Sequence, residues 1–418
     1  MAQRSTRTAP AVRPPEPLRL LYLINGLGTG GAERSLAELL PFYLANRIEP
    51  TIVCLYRRKE GVEDSLRSLG YEIRYLPAGR LPGKILALRR SLRAERPDLI
   101  HTTLFESNLI GRLAAAGTGI PLLTSLVNTP YDPIRLQDPN INRLGISIVK
   151  SVDRWTGHFL TTHFHALTHA VKEAAVQTLH IPPERITVIG RGRAPERLGT
   201  PSAERRAQAR RHLGLRAEDE VILTVGRQEY QKGQRFLLEA MRLLVPTRPH
   251  LQLLISGRTG HATSELQELH ESSGLGERVR FLGHREDVPD LLAAADIFAF
   301  PSLFEGFGGA LIEAMALGLP IVASDLPTLR EVVEPDGSGV LVEPASPPAL
   351  AAAITRLLDD PELARALGSR GMEIFHERFT VERSAMQMIE LYRLAGQRFG
   401  TRREDGSPRP AMAEAERA

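Results

Sequence analysis

Short apolar runs alternate with helical patterns along most of the chain, and the cycle starts twice. The first series opens at Leu18–Ile24, which leads through NGLGTGGAERSLAELL into a helix. It continues with Thr51–Tyr56, Tyr71–Leu76, Leu99–His101, Leu122–Leu126 and Phe164–Thr168. The second opens with VILTVG (221–226) and continues with LQLLISG (251–257), RVRFLG (278–283), DIFAFPS (296–302), PIVASD (320–325) and GVLVEP (339–344). Helical segments follow from about Gln234, over 262–272 and over 287–295. Strands covered on both faces read as continuous apolar runs, and helices between them make parallel sheets. The pattern therefore predicts an α/β protein of two doubly wound domains facing each other across a cleft. Ligands of such sheets bind beyond the carboxyl ends of the strands. Around Arg191–Arg211 the pattern dissolves into Arg, Gly, Pro and Ala, which reads as the linker.

A length of 418 residues suits two domains. One cysteine, Cys54, excludes an intrachain disulfide framework and a Cys-rich zinc site, and fits a reducing cytoplasm. No apolar run approaches the roughly 20 residues a membrane helix needs. The ends, 1–17 and 396–418, read as unstructured tails, the first basic and Pro-rich without the apolar core of a secretory signal. Residues 1–200 carry 27 Lys+Arg against 17 Asp+Glu, a balance of +10; residues 201–418 carry 26 against 32, a balance of −6. The asymmetry suggests that the first half meets an anionic partner, or is simple drift in an Arg-rich composition.

The segment FPSLFEGFGGALIEAMALGLP sets two carboxylates, Glu305 and Glu313, eight residues apart around a glycine-rich turn. A helix opening near Gly308 places Glu305 on the preceding loop and Glu313 about a turn and a half inside it. The free N–H groups of its first turn attract anions, phosphate above all. Carboxylates beside such a site accept hydrogen bonds from sugar hydroxyls. The segment thus reads as a pocket for a nucleotide sugar, against the plainer alternative of a capped helix with an exposed Glu.

Gly26, Gly28 and Gly31 spell G-x-G-x-x-G after the first strand, the spacing of a dinucleotide site. The acidic residue that would hold the ribose is missing; the second strand ends in Tyr56, Arg57 and Arg58. A turn that approaches some other anion at the cleft, or tight packing alone, also fits. The second anion-binding candidate is VGRQEYQKG (225–233), where Arg227 follows a strand and Lys232 precedes a helix. Two fixed cations there can neutralise a departing diphosphate. His165 and His169 have i, i+4 spacing, but one lies on a strand and Thr168 looks like the N-cap of the next helix, so they do not share a helical face. No D-x-D sequence occurs.

Taken together, VGRQEYQKG, the run from FLGHREDVP to LPTLREVV and the N-terminal GGAERSL resemble the retaining glycosyltransferases of family 4, over about residues 18–395. The resemblance implies the GT-B fold: a Rossmann-like acceptor domain over 18–195 and a Rossmann-like donor domain over 196–395. A last helix at about 381–394 would cross back to the first domain. It implies that Arg227 and Lys232 bind the donor diphosphate, that Glu305 contacts the transferred sugar and that Glu313 holds the ribose. It also places Gly28, Gly30, Gly31 and Gly226 by the donor, and turns the backbone amides of Phe307, Gly308, Gly309, Ala310 and Leu311 toward sugar and phosphate oxygens. Two departures concern the acceptor side. Asn128 stands where the family often has His, and VIGRGRAPERLG, with Arg191 and Arg193, replaces the usual N-G-hydrophobic-D.

The expected activity is transfer of a sugar from a nucleotide sugar, UDP-sugars ahead of GDP-mannose, to a glycan or lipid-linked acceptor. Neither a cofactor, a metal nor a nucleic-acid partner is expected. A nucleotide-sugar 2-epimerase and a non-catalytic nucleotide-sugar-binding protein are the rival readings. The helix over 84–96 carries Lys84, Arg89, Arg90, Arg93 and Arg96 beside an apolar stripe. It is expected either as an ordinary surface helix or as a contact with anionic lipid on the inner face of the membrane, at about 1 kcal/mol per Arg near the surface.

Overall fold

The computed structural model describes residues 16–138 and 140–399. Its first sheet contains β1 (Leu18–Ile24), β2 (Ile48–Cys54), β3 (Glu72–Tyr75), β4 (Leu99–Thr103), β5 (Leu122–Leu126), β6 (His163–Ala166) and β7 (Ile186–Val188), in the order 3-2-1-4-5-6-7. Its second contains β8 (Glu220–Val225), β9 (Leu251–Ser256), β10 (Val279–Gly283), β11 (Ile297–Phe300), β12 (Ile321–Ser324) and β13 (Val340–Val342), in the order 10-9-8-11-12-13. Every ladder is parallel. The strand order reverses between β1 and β4 and again between β8 and β11, so each sheet has a crevice at its carboxyl edge.

Central strands are buried on both faces: Leu20, Leu21, Leu23 and Ile24 of β1 and Val221, Ile222 and Leu223 of β8 are nearly inaccessible. Each such side chain contributes about 1.5–3 kcal/mol by leaving water. This burial explains why the strands read as unbroken apolar runs.

Several elements escape the apolar pattern, three of which bear on the site or its surroundings. β7 is a three-residue edge strand. The helix Ala203–His212 lies inside the stretch expected as linker, because its Arg-rich surface carries no apolar stripe; Arg210 anchors it through the Ala294 carbonyl at 3.0 Å. The helix Arg143–Leu160 is a third, and its apolar residues face outward. The helix expected over 84–96 spans Leu81–Glu95 and buries Leu88 and Leu92. Lys84, expected on its basic surface, is buried with its ammonium 3.8 Å from the Tyr56 ring centroid.

The last helix runs Val381–Phe399, so 396–399 are helical and not tail; no proline interrupts Val381–Phe399. Most of the two expected tails lies outside the described residues. The helix packs Met388, Ile389, Leu391 and Tyr392 into the core beneath β1 and β2. Tyr392 Oη also lies 2.7 Å from His101 Nδ1 on β4.

The domains touch at several points around the cleft. Glu331 of the second accepts hydrogen bonds from the His169 and Ala170 amides at 2.8 and 2.7 Å, capping a helix of the first. Arg258 pairs with Glu60 at 2.7 Å. Gly306 meets the β5 loop so closely that a Cβ there would lie 2.0 Å from the Val127 carbonyl oxygen.

Candidate active site

The carboxyl ends of both sheets open into one cavity of ≈ 540 Å³ between the domains. The glycine turn after β1 supplies Gly28, Gly30 and Gly31; the β5 loop supplies Asn128 and the stretch after β7 supplies Arg191. The β8 loop contributes Gly226, Arg227 and Lys232, and the loop after β11 contributes Glu305, Phe307, Gly308, Gly309 and Ala310, with Glu313 beyond. Leu311, expected among them, does not line the cavity. Its side chain is buried in the core and its amide donates to the Gly308 carbonyl at 2.9 Å, because the first turn of the helix turns inward there.

The helix Gly309–Ala316 opens on Gly308, whose φ of 84° lies in the left-handed region. That turn brings the helix N-terminus to the cavity, where Gly309 and Ala310 line the wall. On the facing side Gly30 begins the helix Gly31–Ala45. Two helix N-termini thus face one space, an arrangement suited to an anion.

Lys232 donates to Glu305 and lies 5.1 Å from the Phe300 ring centroid. Glu305 also accepts from Ser302 Oγ at 3.2 Å. Arg227 is more open, with two thirds of its side chain exposed and Glu229 3.4 Å away. Arg191 forms no hydrogen bond or ion pair among the described residues. It lies against the glycine turn, where a Cβ on Gly31 would come within 2.4 Å of its guanidinium. Burial, then the nearby Arg193, push its pKa down to about 10, which leaves it charged at neutral pH. Asn128 turns its side-chain oxygen back to the Thr129 amide at 2.8 Å.

Glu313 is already engaged. Arg193 Nε donates to its Oε1 at 2.6 Å, and Arg34 approaches the same oxygen at 3.3 Å, leaving Oε2 with the weaker Arg34 contact at 3.5 Å. Arg193 further contacts Ser35 Oγ at 3.2 Å, with Glu38 3.9 Å away. The network joins the helix Gly31–Ala45, the inter-domain connection and the helix Gly309–Ala316.

Arg34, Arg258 and Arg285 also line the cavity and went unread in the sequence. Arg258 and Arg285 each lie two residues past a strand, β9 and β10 respectively, and that position beyond a strand's carboxyl end is the signal that finds them. His165 and His169 do not share a helical face: the first lies on β6, bonded to Ser125 Oγ at 2.9 Å and the Ile189 carbonyl at 2.8 Å, and the second starts the next helix behind the Thr168 cap.

Residues 29–197 match the family described as Glycosyltransferase Family 4, and residues 205–373 match Glycosyl transferases group 1. A D-inositol 3-phosphate glycosyltransferase of Thermobispora bispora is 30% identical over 336 residues, covering 75% of this chain and 76% of the relative. The UDP-Gal:alpha-D-GlcNAc-diphosphoundecaprenol alpha-1,3-galactosyltransferase of Escherichia coli is 28% identical, covering 67% and 71%. Among solved structures, Anabaena HepE in complex with UDP-glucose superposes with a TM-score of 0.77 at 23% identity, covering 90% of this chain and 99% of HepE. The two parallel sheets, the cleft between them and these likenesses agree: the chain is a glycosyltransferase of the GT-B fold and belongs to family 4.

Proposed function

We propose that the protein transfers a sugar, with retention of anomeric configuration, from a nucleotide sugar to a glycan or lipid-linked acceptor. The observation that carries the reading is the meeting of Lys232, Glu305, Arg227 and the N-terminus of Gly309–Ala316 around one cavity. A diphosphate placed between these cations and the helix amides gains charge as it leaves, and fixed donors stabilise that gain without reorganisation. Arg191 adds a third cation from the opposite wall. With the diphosphate so held, transfer needs no metal. Glu305 accepts from hydroxyls of the transferred sugar, and Glu313 Oε2 accepts from the ribose while Arg193 holds Oε1.

The reaction runs on one face of the sugar. The bond from C1 to the diphosphate oxygen breaks, the acceptor oxygen bonds to C1 from the same side, and the acceptor proton passes to a diphosphate oxygen. No side chain is required as base, which suits Asn128 at a position where the family often has His. The UDP and UDP-glucose complexes of HepE support a UDP-sugar as donor, with GDP-mannose second. The diphosphoundecaprenol acceptor of the Escherichia coli relative supports a lipid-linked acceptor. A nucleotide-sugar donor and a lipid-linked acceptor together support work in the cytoplasm, at the inner face of the membrane.

A panel of nucleotide sugars tests the reading by thermal shift and donor hydrolysis. Binding of one donor class to the native state raises the melting temperature by mass action. Glu313→Gln lowers affinity for the free nucleoside diphosphate, whereas Glu305→Gln spares it and lowers turnover. Silence across the panel, or equal losses of diphosphate affinity in both variants, contradicts the assignment.

A further inference from the structure

The helix Arg143–Leu160 presents a face that the described residues do not cover. Leu144 is 71% exposed, Ile148 57%, Trp155 56% and Phe159 65%, with Val152 at 38%. At 100° per residue these five fall within an arc of about 80°. Arg143, Lys150 and Arg154 form a row within about 40° that begins about 80° beyond one edge of that arc, with Ser147, His158 and Ser151 between. The one acidic residue of the helix, Asp153, points the other way, buried and paired with Arg112 at 2.5 Å and Tyr131 at 2.8 Å. That pair fixes the rotation of the helix and leaves its outer face without negative charge.

A contiguous exposed apolar stripe marks an interaction site. An aromatic and aliphatic stripe with a row of cations on one flank, on a helix whose opposite side is packed, is the form of one that lies in the plane of a lipid interface. No described helix is long and apolar enough to cross a membrane. We propose that this face docks on an anionic lipid bilayer, its apolar stripe entering the interfacial layer and its cation row meeting the head groups.

The position of the helix gives the contact a purpose. An apolar groove of ≈ 610 Å³ has Ile146 and Val149 of this helix on one wall and Leu179 among its other residues. Leu104, Val127 and Asn128 line both the groove and the cleft. An amphiphilic acceptor leaving the bilayer has its apolar part in the groove and its head group at Asn128. This last step rests on the proposed function; the bilayer contact does not. The helix Leu81–Glu95, with Leu88 and Leu92 buried, offers cations but no comparable stripe.

Trp155 is the only tryptophan in the chain and reports directly on this face. The test mixes full-length protein with vesicles of phosphatidylcholine, alone or with phosphatidylglycerol. The expected result is a blue shift of Trp155 emission with the anionic vesicles, quenching by acyl-chain bromine, and weakening as salt rises. Ile148→Ser with Phe159→Ser lowers partitioning about tenfold or more, and Arg143→Ser, Lys150→Ser and Arg154→Ser together abolish the preference for anionic lipid. Far-ultraviolet circular dichroism confirms that these surface variants fold. An unchanged spectrum overturns the proposal, as does sedimentation with vesicles while Trp155 stays silent, which would move the contact to another surface such as Leu81–Glu95. A lipid-free blue shift that grows with protein concentration also overturns it, by showing that a second copy covers the face. The readout uses neither donor nor acceptor, so its failure leaves the transferase reading standing.

Discussion

Replacing Arg193 with methionine strands two buried carboxylates. Arg193 is 2% exposed, Glu313 4% and Glu38 8%. Its guanidinium holds Glu313 at 2.6 Å and is one of two cations near Glu38, whose Oε2 already has no hydrogen-bond partner. Removing one member of a buried ion pair costs about 3–5 kcal/mol, because the remaining charge stays desolvated. Arg34, 3.3 Å from Glu313 but only partly buried, offsets some of that. The expected loss is therefore about 3 kcal/mol, the low end of the range. Burial already raises the pKa of Glu38, and losing Arg193, the cation that most opposes that rise, raises it further. The folded form then binds a proton at Glu38 more readily than the unfolded chain, so the deficit of the variant narrows as pH falls toward 5. The assay is unfolding in guanidinium chloride, followed by two probes because a two-domain chain need not unfold in one step. Adding Glu313→Gln to Arg193→Met removes one stranded charge and recovers about 1 kcal/mol or more. A variant within 1 kcal/mol of the parent, or a double variant no better than the single, would refute the reasoning.

Arg227→Ala and Lys232→Ala each lower turnover by about two to three orders of magnitude, the usual cost of removing a charge-stabilising group. Activity of the parent survives EDTA, and its complete loss with recovery on adding Mg²⁺ or Mn²⁺ would contradict the cation clamp. His165, buried on β6, has its pKa pushed down to about 4. Its stabilisation is thus fully present above the unfolded value near 6.5 and is lost as pH falls toward 4, by roughly 3 kcal/mol. His165→Asn flattens the fall of the denaturation midpoint across that window; an unchanged slope would mean that the ring is not held neutral.

Much of the architecture is legible in the sequence because a parallel strand covered on both faces is an apolar run. β1 and β5 match their expected bounds, Leu18–Ile24 and Leu122–Leu126, to the residue. The carboxylate pair is legible because helix geometry fixes its spacing: the helix opens at Gly309, with Glu305 on the loop before it and Glu313 inside. What stays hidden depends on contacts between segments far apart in the chain. The engagement of Glu313 by Arg34 and Arg193 spans 279 and 120 residues, and no local pattern reveals it. Leu311 reads as part of the cleft loop, yet the first turn directs it into the core. The helix Arg143–Leu160 carries a helical period in its sequence, but nothing local says that its apolar face looks outward, so a periodicity that normally marks a core face here marks a surface.

The central claim is that the cleft moves a sugar from a nucleotide sugar to an acceptor on the face the diphosphate leaves. Proton nuclear magnetic resonance of the product tests it most directly. With an α-linked nucleotide sugar and a diphosphate-linked glycan acceptor, the account predicts an α-glycoside, seen in the anomeric coupling, and release of the nucleoside diphosphate. A β-glycoside, or a 2-epimer formed without an acceptor, would contradict it.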